Sequence, residues 1–528
     1  MDSAEVILAA MKNNPEMPIL TAHSNPYPFS MEKSESAIAK LAEAAQVTGN
    51  TEDSETELPK VFDRTHLDDP RFEDYSKILK PRTGGDLSRV FPPKICSWAP
   101  CGTYPSPFKS NPERFNLGLS FVSDEETVLV DIIGHVTQPT ASREFLRAGP
   151  RETISFHPKS VKAAIVTCGG LCPGINSVVR EIYNTLHHLY GVEEVYGIPF
   201  GYRGFYSPEI EYIRLTDKNV ASIHHQGGSH LGSSRGGFDL KKIVDAIEDN
   251  NFNQVYIIGG DGTQRGAIKI HDEVVHRKLK VSVVGIPKTI DNDIALIDKS
   301  FGFDTAVEEA QRAIRSAVVE ARSAQNGIGL VKLMGRNSGY IAMYATLASH
   351  DVDICLIPEV SFTLEGSCGL LQYIKSLLKR KGYCVIVVAE GAGMDILKDE
   401  VDMSKRDASG NIKMPDIGLF LKDRINSWFS EQQGIEVTLK YIDPTYMIRS
   451  IPANASDCLM CGLLAQSAVH SAMAGRGGFT IGVINTQYSI IPMHELCSRG
   501  RIKVFQVDVN SRMWHRVLAT TEQPDFRA

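Results

Sequence analysis

The sequence predicts an α/β protein built from two three-layer lobes with a cleft between them, preceded by an N-terminal extension. Three observations predict this. At 528 residues the chain exceeds what a single hydrophobic core holds, so two or three domains are expected. From Val161 onward, strand-like and helix-like segments alternate, and the strand-like ones are apolar throughout rather than at every second residue. Such strands are buried on both faces, as in a parallel sheet covered by helices. The alternation also runs through two successive blocks of similar size.

Taken in order, residues 1–60 lack periodicity and read as largely disordered, with a helix near Met31–Ala45. Pro59–Asn116 is rich in Pro, Asp and aromatics and reads as an extended wrapping segment. Ser120–Ile132, "SFVSDEETVLVDI", reads as strands of a small accessory region. The first block then opens. "VKAAIVTCGG" is a buried strand entering a glycine turn, and "NSVVREIYNTLHHLYG" is a helix stopped by Gly191. "EVYGIPFGYRG" is a strand and loop, "LKKIVDAIEDN" a helix, "QVYIIGG" a strand, "RGAIKIHDEVVHRK" a helix and "VSVVGIPKTIDND" a strand and loop. The helix "DTAVEEAQRAIRSAVVEARSA" follows, with Val307, Ala310, Ile314, Ala317 and Ala321 on one stripe. In the second block come "GIGLVKLMG", a helix, "DICLIPE", a helix and "YCVIVVAEGAG". The polar stretch Asp395–Pro415 reads as a surface insertion.

Composition narrows the function. Hydrophobic content of 42% and charged content of 23% are ordinary for a globular protein. A net charge of −7 argues against nucleic acid as a partner, and no apolar run is long enough to span a membrane. The N-terminus carries neither a secretory signal pattern nor an Arg-rich transit peptide, so a cytoplasmic location is expected ahead of a plastid one. The 10 cysteines are scattered, which suits a reducing compartment.

The chemical motifs all lie just after strands, where open α/β sheets bind ligands. "GGLCPGIN" (Gly169–Asn176) is a glycine turn entering a helix; it either binds phosphate through free N–H groups or simply turns. "GSSRGGF" places Arg235 in a loop, either solvated or reaching a nucleotide phosphate. "GGDGT" (Gly259–Thr263) is more specific. Its first two glycines admit a polyanion close to the backbone, Asp261 can hold Mg²⁺, and Gly262 leaves space beside the metal. In "PKTIDND" (Pro287–Asp293), Asp291 and Asp293 face one side of an extended loop. One can accept a proton from an attacking hydroxyl while the other supports Mg²⁺.

"GGDGT", "PKTIDND", "VKLMGRNSGY", "VAEGAG" and "YMIRS", in that order, resemble the ATP-dependent 6-phosphofructokinases. The long plant and protist type is nearest, on "KYIDPTYMIRSIPANASD" and "IVTCGGLCPGIN". The resemblance covers Lys162 to Gly478, about 60% of the chain. It implies transfer of phosphate from MgATP to fructose 6-phosphate. By that likeness Asp291 is the general base, with Thr289 and Lys288 beside the transferred phosphoryl and Ile290 in the same loop. Asp261 holds Mg²⁺ with help from Asp293. Gly170, Tyr202, Arg235, Gly236, Gly260, Asp261, Gly262, Thr263 and Gly266 line the ATP cleft. Met334, Gly335, Arg336, Glu390, Lys440, Tyr446, Met447, Ile448 and Arg449 surround the sugar phosphate. A homo-oligomer, tetramer or dimer, is also implied.

The domains expected on this basis are an extension over 1–110, partly disordered, and an accessory β region over 111–160. An ATP-binding Rossmann-like lobe is expected over 161–303 with 449–500, and a sugar-phosphate lobe over 304–448 with 501–528. Two departures bear on the donor and on assembly. The pyrophosphate-using relatives place an aspartate where this chain has Gly262, and that side chain fills the place of the α-phosphate of ATP. Lys288, however, resembles the pyrophosphate-using branch. Asn326 and Gly327 stand where bacterial members have an arginine that crosses to a neighbouring subunit, and Lys440 is a candidate replacement. Pyrophosphate as donor, a non-catalytic regulatory subunit, and a lipid or NAD kinase are the competing readings. The regulatory subunit is opposed by the presence together of Asp261, Asp291 and Arg336, and the lipid or NAD kinase, which shares "GGDGT", by the "PKTIDND", "MGR" and "YMIR" motifs. Cys96 and Cys101 are either a redox pair or two separate thiols; Cys458 and Cys461 read as packing residues, and His224 and His225 as loop residues.

Overall fold

Unbroken apolar runs need neighbours on both faces, and they find them by pairing side by side under helices. In a computed structural model, the structure describes residues 88–110, 121–133, 142–398, 414–498, 501–502 and 504–526. The expected disordered start, its helix near Met31–Ala45 and most of the Asp395–Pro415 insertion lie outside the described residues.

The larger sheet has ten strands: β1 (Ser88–Arg89), β2 (Thr127–Leu129), β3 (Arg143–Arg147), β4 (Lys162–Thr167), β5 (Glu194–Ile198), β6 (Ile213–Arg214), β7 (Gln254–Gly259), β8 (Ser282–Pro287), β13 (Phe479–Ile484) and β14 (Gln487–Pro492). Between β8 and β13 in the chain lie the four strands of a second, wholly parallel sheet: β9 (Gly327–Leu333), β10 (Ile354–Leu356), β11 (Tyr383–Ala389) and β12 (Thr438–Ile442). The order is β1-β3-β14-β13-β8-β7-β4-β5-β6, with β2 beside β3, in the large sheet and β10-β11-β9-β12 in the small one. The strands read as an accessory region are not a separate layer. Phe145 and Leu146 of β3 are fully buried, and β3 extends the edge of the large sheet through β14.

Register decides where the motifs emerge. Ile258 of β7 lies opposite Thr167 of β4 and opposite Ile286 of β8, so these three strands end level. Gly169–Gly170, Gly260–Asp261 and Lys288–Thr289 therefore leave the sheet along one edge. In the second sheet Leu333 pairs with Ala389, so Met334–Arg336 and Glu390 leave together.

The longer helices are α1 (Ile175–Asn184), α2 (Leu240–Asp249), α3 (Asp261–His276), α4 (Phe303–Arg322), α5 (Tyr340–Ser349), α6 (Leu370–Lys381), α7 (Ile417–Ser427), α8 (Thr445–Arg449), α9 (Ala455–Met473) and α10 (Arg512–Thr521). On α4 the expected stripe of Ala310, Ile314, Ala317 and Ala321 is buried, with Val307 half-buried. Gly329 of β9 lets α4 approach closely, because a Cβ there would stand 2.8 Å from the Ala317 carbonyl. Beyond β14 the chain returns to the loop after β8: Val504 bridges Ile294, and the Phe505 N–H donates to the Asp293 carbonyl at 2.7 Å. It then packs α10 against β10 and α5.

Candidate active site

On the large sheet's side, a cleft of about 340 Å³ is lined by Gly169, Gly170, Tyr202, Arg235, Gly236, Gly260, Asp261, Gly262, Thr263 and Lys288, together with residues discussed below. Helix α3 opens into it, with Gly260 at its cap and Asp261 and Gly262 in its first turn. Free N–H groups at the start of a helix favour a polyanion. Gly259 has no room for a side chain because a Cβ would overlap Thr263. Gly262 is the opposite case: a Cβ there would meet only Arg265 Nη2, at 3.8 Å. Glycine in the first turn of a helix costs up to about 1 kcal/mol relative to alanine, and here it keeps the cleft open beside Asp261. Tyr202 is buried and its hydroxyl donates to the Thr263 carbonyl at 2.7 Å; a Cβ on Gly266 would collide with this ring.

Of the "GGLCPGIN" turn, only Gly169 and Gly170 line the cleft. Cys172 and Gly174 pack instead against Phe301 and Cys461. A Cβ on Gly170 would stand 3.4 Å from Arg235 Nη2 and 3.9 Å from Arg449 Nη1, so two arginines from different loops converge there. Lys288 is buried below them. Burial pushes its ammonium pKa down, and Arg235 and Arg449 push the same way.

The Asp291 loop leads from β8 towards α4. The Thr289 hydroxyl donates to Asp293 Oδ1 at 2.9 Å and accepts from the Asp291 N–H at 3.2 Å. Asn292 takes a left-handed φ of 53° and its side-chain oxygen accepts from the Ser300 N–H at 2.8 Å, which fixes the turn. Burial pushes the Asp291 carboxyl well up, helped by the carboxylates of Asp293 and Glu390 and opposed by Lys288. Asp293 is also pushed up by burial, against the Thr289 hydrogen bond, and feels Asp261 across the cleft. Asp261, Asp291 and Asp293 do not enclose a metal by themselves; their oxygens do not fall within 4.8 Å of one another as a group of three. Mg²⁺ usually takes one or two carboxylates and completes its shell with phosphate oxygens, so this spacing fits a metal carried in by a nucleotide.

On the second sheet's side, Gly335 at φ 129° turns the chain after β9, and the backbone of Gly391 packs against the Arg336 carbonyl. Burial pushes Glu390 up, helped by Asp443, while the cations Arg336, Lys332 and Arg449 pull it down. Arg449 stacks on the Tyr446 ring at 4.7 Å. Tyr446 and Met447 are about three-quarters exposed (75% and 73%). Met334, Ile290 and Ile448 are buried and pack into the core. Lys440 is not brought to this group. It lies opposite Gly329, four residues before Leu333, and its ammonium pairs with Glu320 at 3.6 Å.

The sequence between residues 162 and 472 matches the family model described as phosphofructokinase. The chain is 54% identical over 426 residues to ATP-dependent 6-phosphofructokinase 1 of Arabidopsis thaliana, covering 80% of this chain and 88% of that protein. The chain belongs to the phosphofructokinase family. A second Arabidopsis thaliana relative, ATP-dependent 6-phosphofructokinase 4, chloroplastic, is 54% identical over 427 residues, covering 80% of this chain and 79% of that protein. The crystal structure of a pyrophosphate-dependent phosphofructokinase from Marinobacter aquaeolei shares the fold, with a TM-score of 0.53, 18% identity, and coverage of 69% of this chain and 92% of that one.

Several cleft residues of this phosphofructokinase escaped sequence reasoning. Arg265, one helical turn after Asp261, pairs with it at 3.2 Å. Phe238 stands at the cleft mouth, edge-on to Tyr202 at 5.2 Å and 37% exposed. Its place in "GSSRGGF" was visible, but only the fold shows that it meets Tyr202. Cys168 and Ser234 also line the cleft. Lys332 is buried on β9 and pairs with Asp416 at 2.6 Å and Asp443 at 2.8 Å. Cys96 and Cys101 are free thiols lining a separate cavity of about 520 Å³, and Cys461 is buried as expected of a packing residue.

Proposed function

We propose that this phosphofructokinase transfers the terminal phosphoryl group of ATP to the 1-hydroxyl of fructose 6-phosphate, giving fructose 1,6-bisphosphate. The observation that carries this reading is the open space at Gly262, beside Asp261 and at the start of α3. A nucleotide longer than pyrophosphate can lie there.

In this reading Tyr202, Gly236, Gly260, Thr263 and Gly266 form the nucleotide wall, and Arg235 reaches its phosphates. The loop after β8 does the transfer. Asp291 accepts the proton of the sugar hydroxyl as its oxygen attacks, and a carboxylate whose pKa is held up by burial is a better base near neutral pH than an ordinary one. Lys288 and Thr289 sit beside the phosphoryl in flight. Arg336, Arg449 and Tyr446 hold the sugar phosphate and Glu390 accepts hydrogen bonds from the sugar hydroxyls. Asp261 and Asp293 would hold Mg²⁺, which supplies charge neutralisation on the transferred phosphate. The lobe division follows: 161–303 with 449–500 carries the nucleotide, and 304–448 with 501–528 carries the sugar. A cytoplasmic homo-oligomer, tetramer or dimer, completes the reading. Among the described residues no helix is long and apolar enough to cross a membrane.

The test is product formation from fructose 6-phosphate and Mg²⁺ with ATP or pyrophosphate in parallel, for wild type and Gly262→Asp. Turnover with ATP that is lost in the variant supports the reading. Turnover with pyrophosphate alone overturns it and makes Lys288 the better guide to the donor.

A further inference from the structure

Away from the cleft, at the far end of α1, three ligand-bearing side chains converge. His187 and His188 lie in the π-turn Thr185–Leu189 that closes α1, and Asp217 opens the short helix Asp217–Val220. One ring nitrogen of each histidine and a carboxylate oxygen of Asp217 all lie within 4.8 Å of one another, the one such group of three among the described residues. A tetrahedral zinc ion with ligands at roughly 2.0–2.2 Å holds them roughly 3.3–3.6 Å apart. Reaching that spacing takes small rotations of His188 and Asp217, whose side chains are 47% and 64% exposed.

The ligands are also prepared from behind. His187 Nδ1 lies 2.9 Å from the Val192 carbonyl, which can only accept, so Nδ1 carries the proton and Nε2 keeps its lone pair. Metal-binding histidines are commonly fixed in this way. The Tyr183 hydroxyl donates to Asp217 Oδ1 at 3.1 Å, and the His187 ring stacks on Tyr183 with an interplanar angle of 17°. The Asp217 backbone is fixed by the Thr216–Asn219 capping box. His188 Nε2 is 2.9 Å from Asp217 Oδ1, closer than two ligands of one zinc ion stand, so an entering cation parts this pair by about half an ångström and takes its place between them.

We propose that His187, His188 and Asp217 bind a divalent cation of the zinc class, with water as the fourth ligand. Two imidazoles and one carboxylate suit zinc, cobalt or nickel far better than Mg²⁺, which prefers oxygen alone. The site is separate from the catalytic one, because α1 spans about 15 Å between them. Its effect is to clamp the end of α1 to the segment after β6.

The full-length protein, stripped of metal, is titrated with Co²⁺ in a large excess of Mg²⁺, which competes at any all-oxygen site. One saturable Co²⁺ per chain is expected, with visible d–d absorption and no near-ultraviolet thiolate band. His188→Ala and Asp217→Asn should each weaken binding tenfold or more, with phosphoryl transfer within twofold of wild type. Zn²⁺ should raise the melting temperature of wild type and of neither variant. Absence of saturable binding, binding unchanged in both variants, or a thiolate band would each overturn the assignment.

Discussion

Lys332 Nζ lies 2.8 Å from an Asp443 oxygen and 2.6 Å from an Asp416 oxygen, so one buried ammonium ties the strand before Arg336 to the turn before Arg449. Asp443 in turn accepts from the Thr445 N–H at 3.1 Å and so holds the start of α8, while Asp416 caps α7. On the proposed sugar side, Lys332 would thus act through position rather than contact. Breaking one partner of a fully buried pair costs about 3–5 kcal/mol. Both carboxylates here are about a third exposed, 34% and 36%, so a smaller loss is expected. Lys332→Met should raise KM for fructose 6-phosphate at least tenfold and leave KM for ATP within twofold, and Lys332→Arg should recover part of the loss. Equal changes in both KM values would mean that the network serves only the fold.

Phe238 makes the complementary case on the proposed nucleotide side. Its ring is exposed at the cleft mouth and meets Tyr202 edge-on, so a flat base can lie against it. Phe238→Ala should raise KM for ATP about tenfold, with KM for the sugar unchanged. Steady-state kinetics in both substrates decide this.

Asp291 is expected to trade stability for chemistry. Its folded carboxyl is held well above the ordinary range, so the native state binds the proton more tightly than the unfolded chain. Its contribution is present at low pH and is lost as pH rises through the ordinary carboxylate range toward the raised value. Asp291→Asn removes the buried charge while keeping the shape. The variant should melt higher than wild type at pH 7 and transfer phosphoryl at least a thousandfold more slowly. A lower melting temperature would show that Lys288 compensates the charge fully.

His470 should set part of the acid limit. It is buried on α9, its Nδ1 lies 2.8 Å from the Tyr190 hydroxyl, and burial pushes its pKa down to about 3. A histidine held neutral in the native state protonates first in the unfolded one, so stability falls as pH drops from about 6.5 toward 3. His470→Asn should flatten melting temperature against pH between 6.5 and 4, relative to wild type. An unchanged slope would assign acid unfolding to other groups, His271 first, whose pKa burial pushes down to about 4.

The glycine and acid loops were legible in the sequence because strand, turn and helix start are contiguous there, as at Gly259–Thr263. Register then brings them level, and alternation alone predicts that. Lys332, Arg265 and Phe238 were not legible, since a lysine inside an apolar strand or an arginine on a helix gains its role only from a partner distant in sequence. Lys440 shows the converse. Its place before "YIDP" suggested a phosphate contact, but strand alternation turns it towards Glu320 of α4.

The bond from the Phe505 N–H to the Asp293 carbonyl gives the catalytic-motif loop a partner made 212 residues later (505 − 293). At synthesis rates of roughly 5–20 residues per second, that partner emerges about 10–40 s after the loop itself. A nascent chain that already carries every proposed catalytic and sugar-binding residue up to Arg449 still lacks the segment that pins Asp293. In a cell that switches this step on by making new protein, the delay is counted from the return of that distant segment.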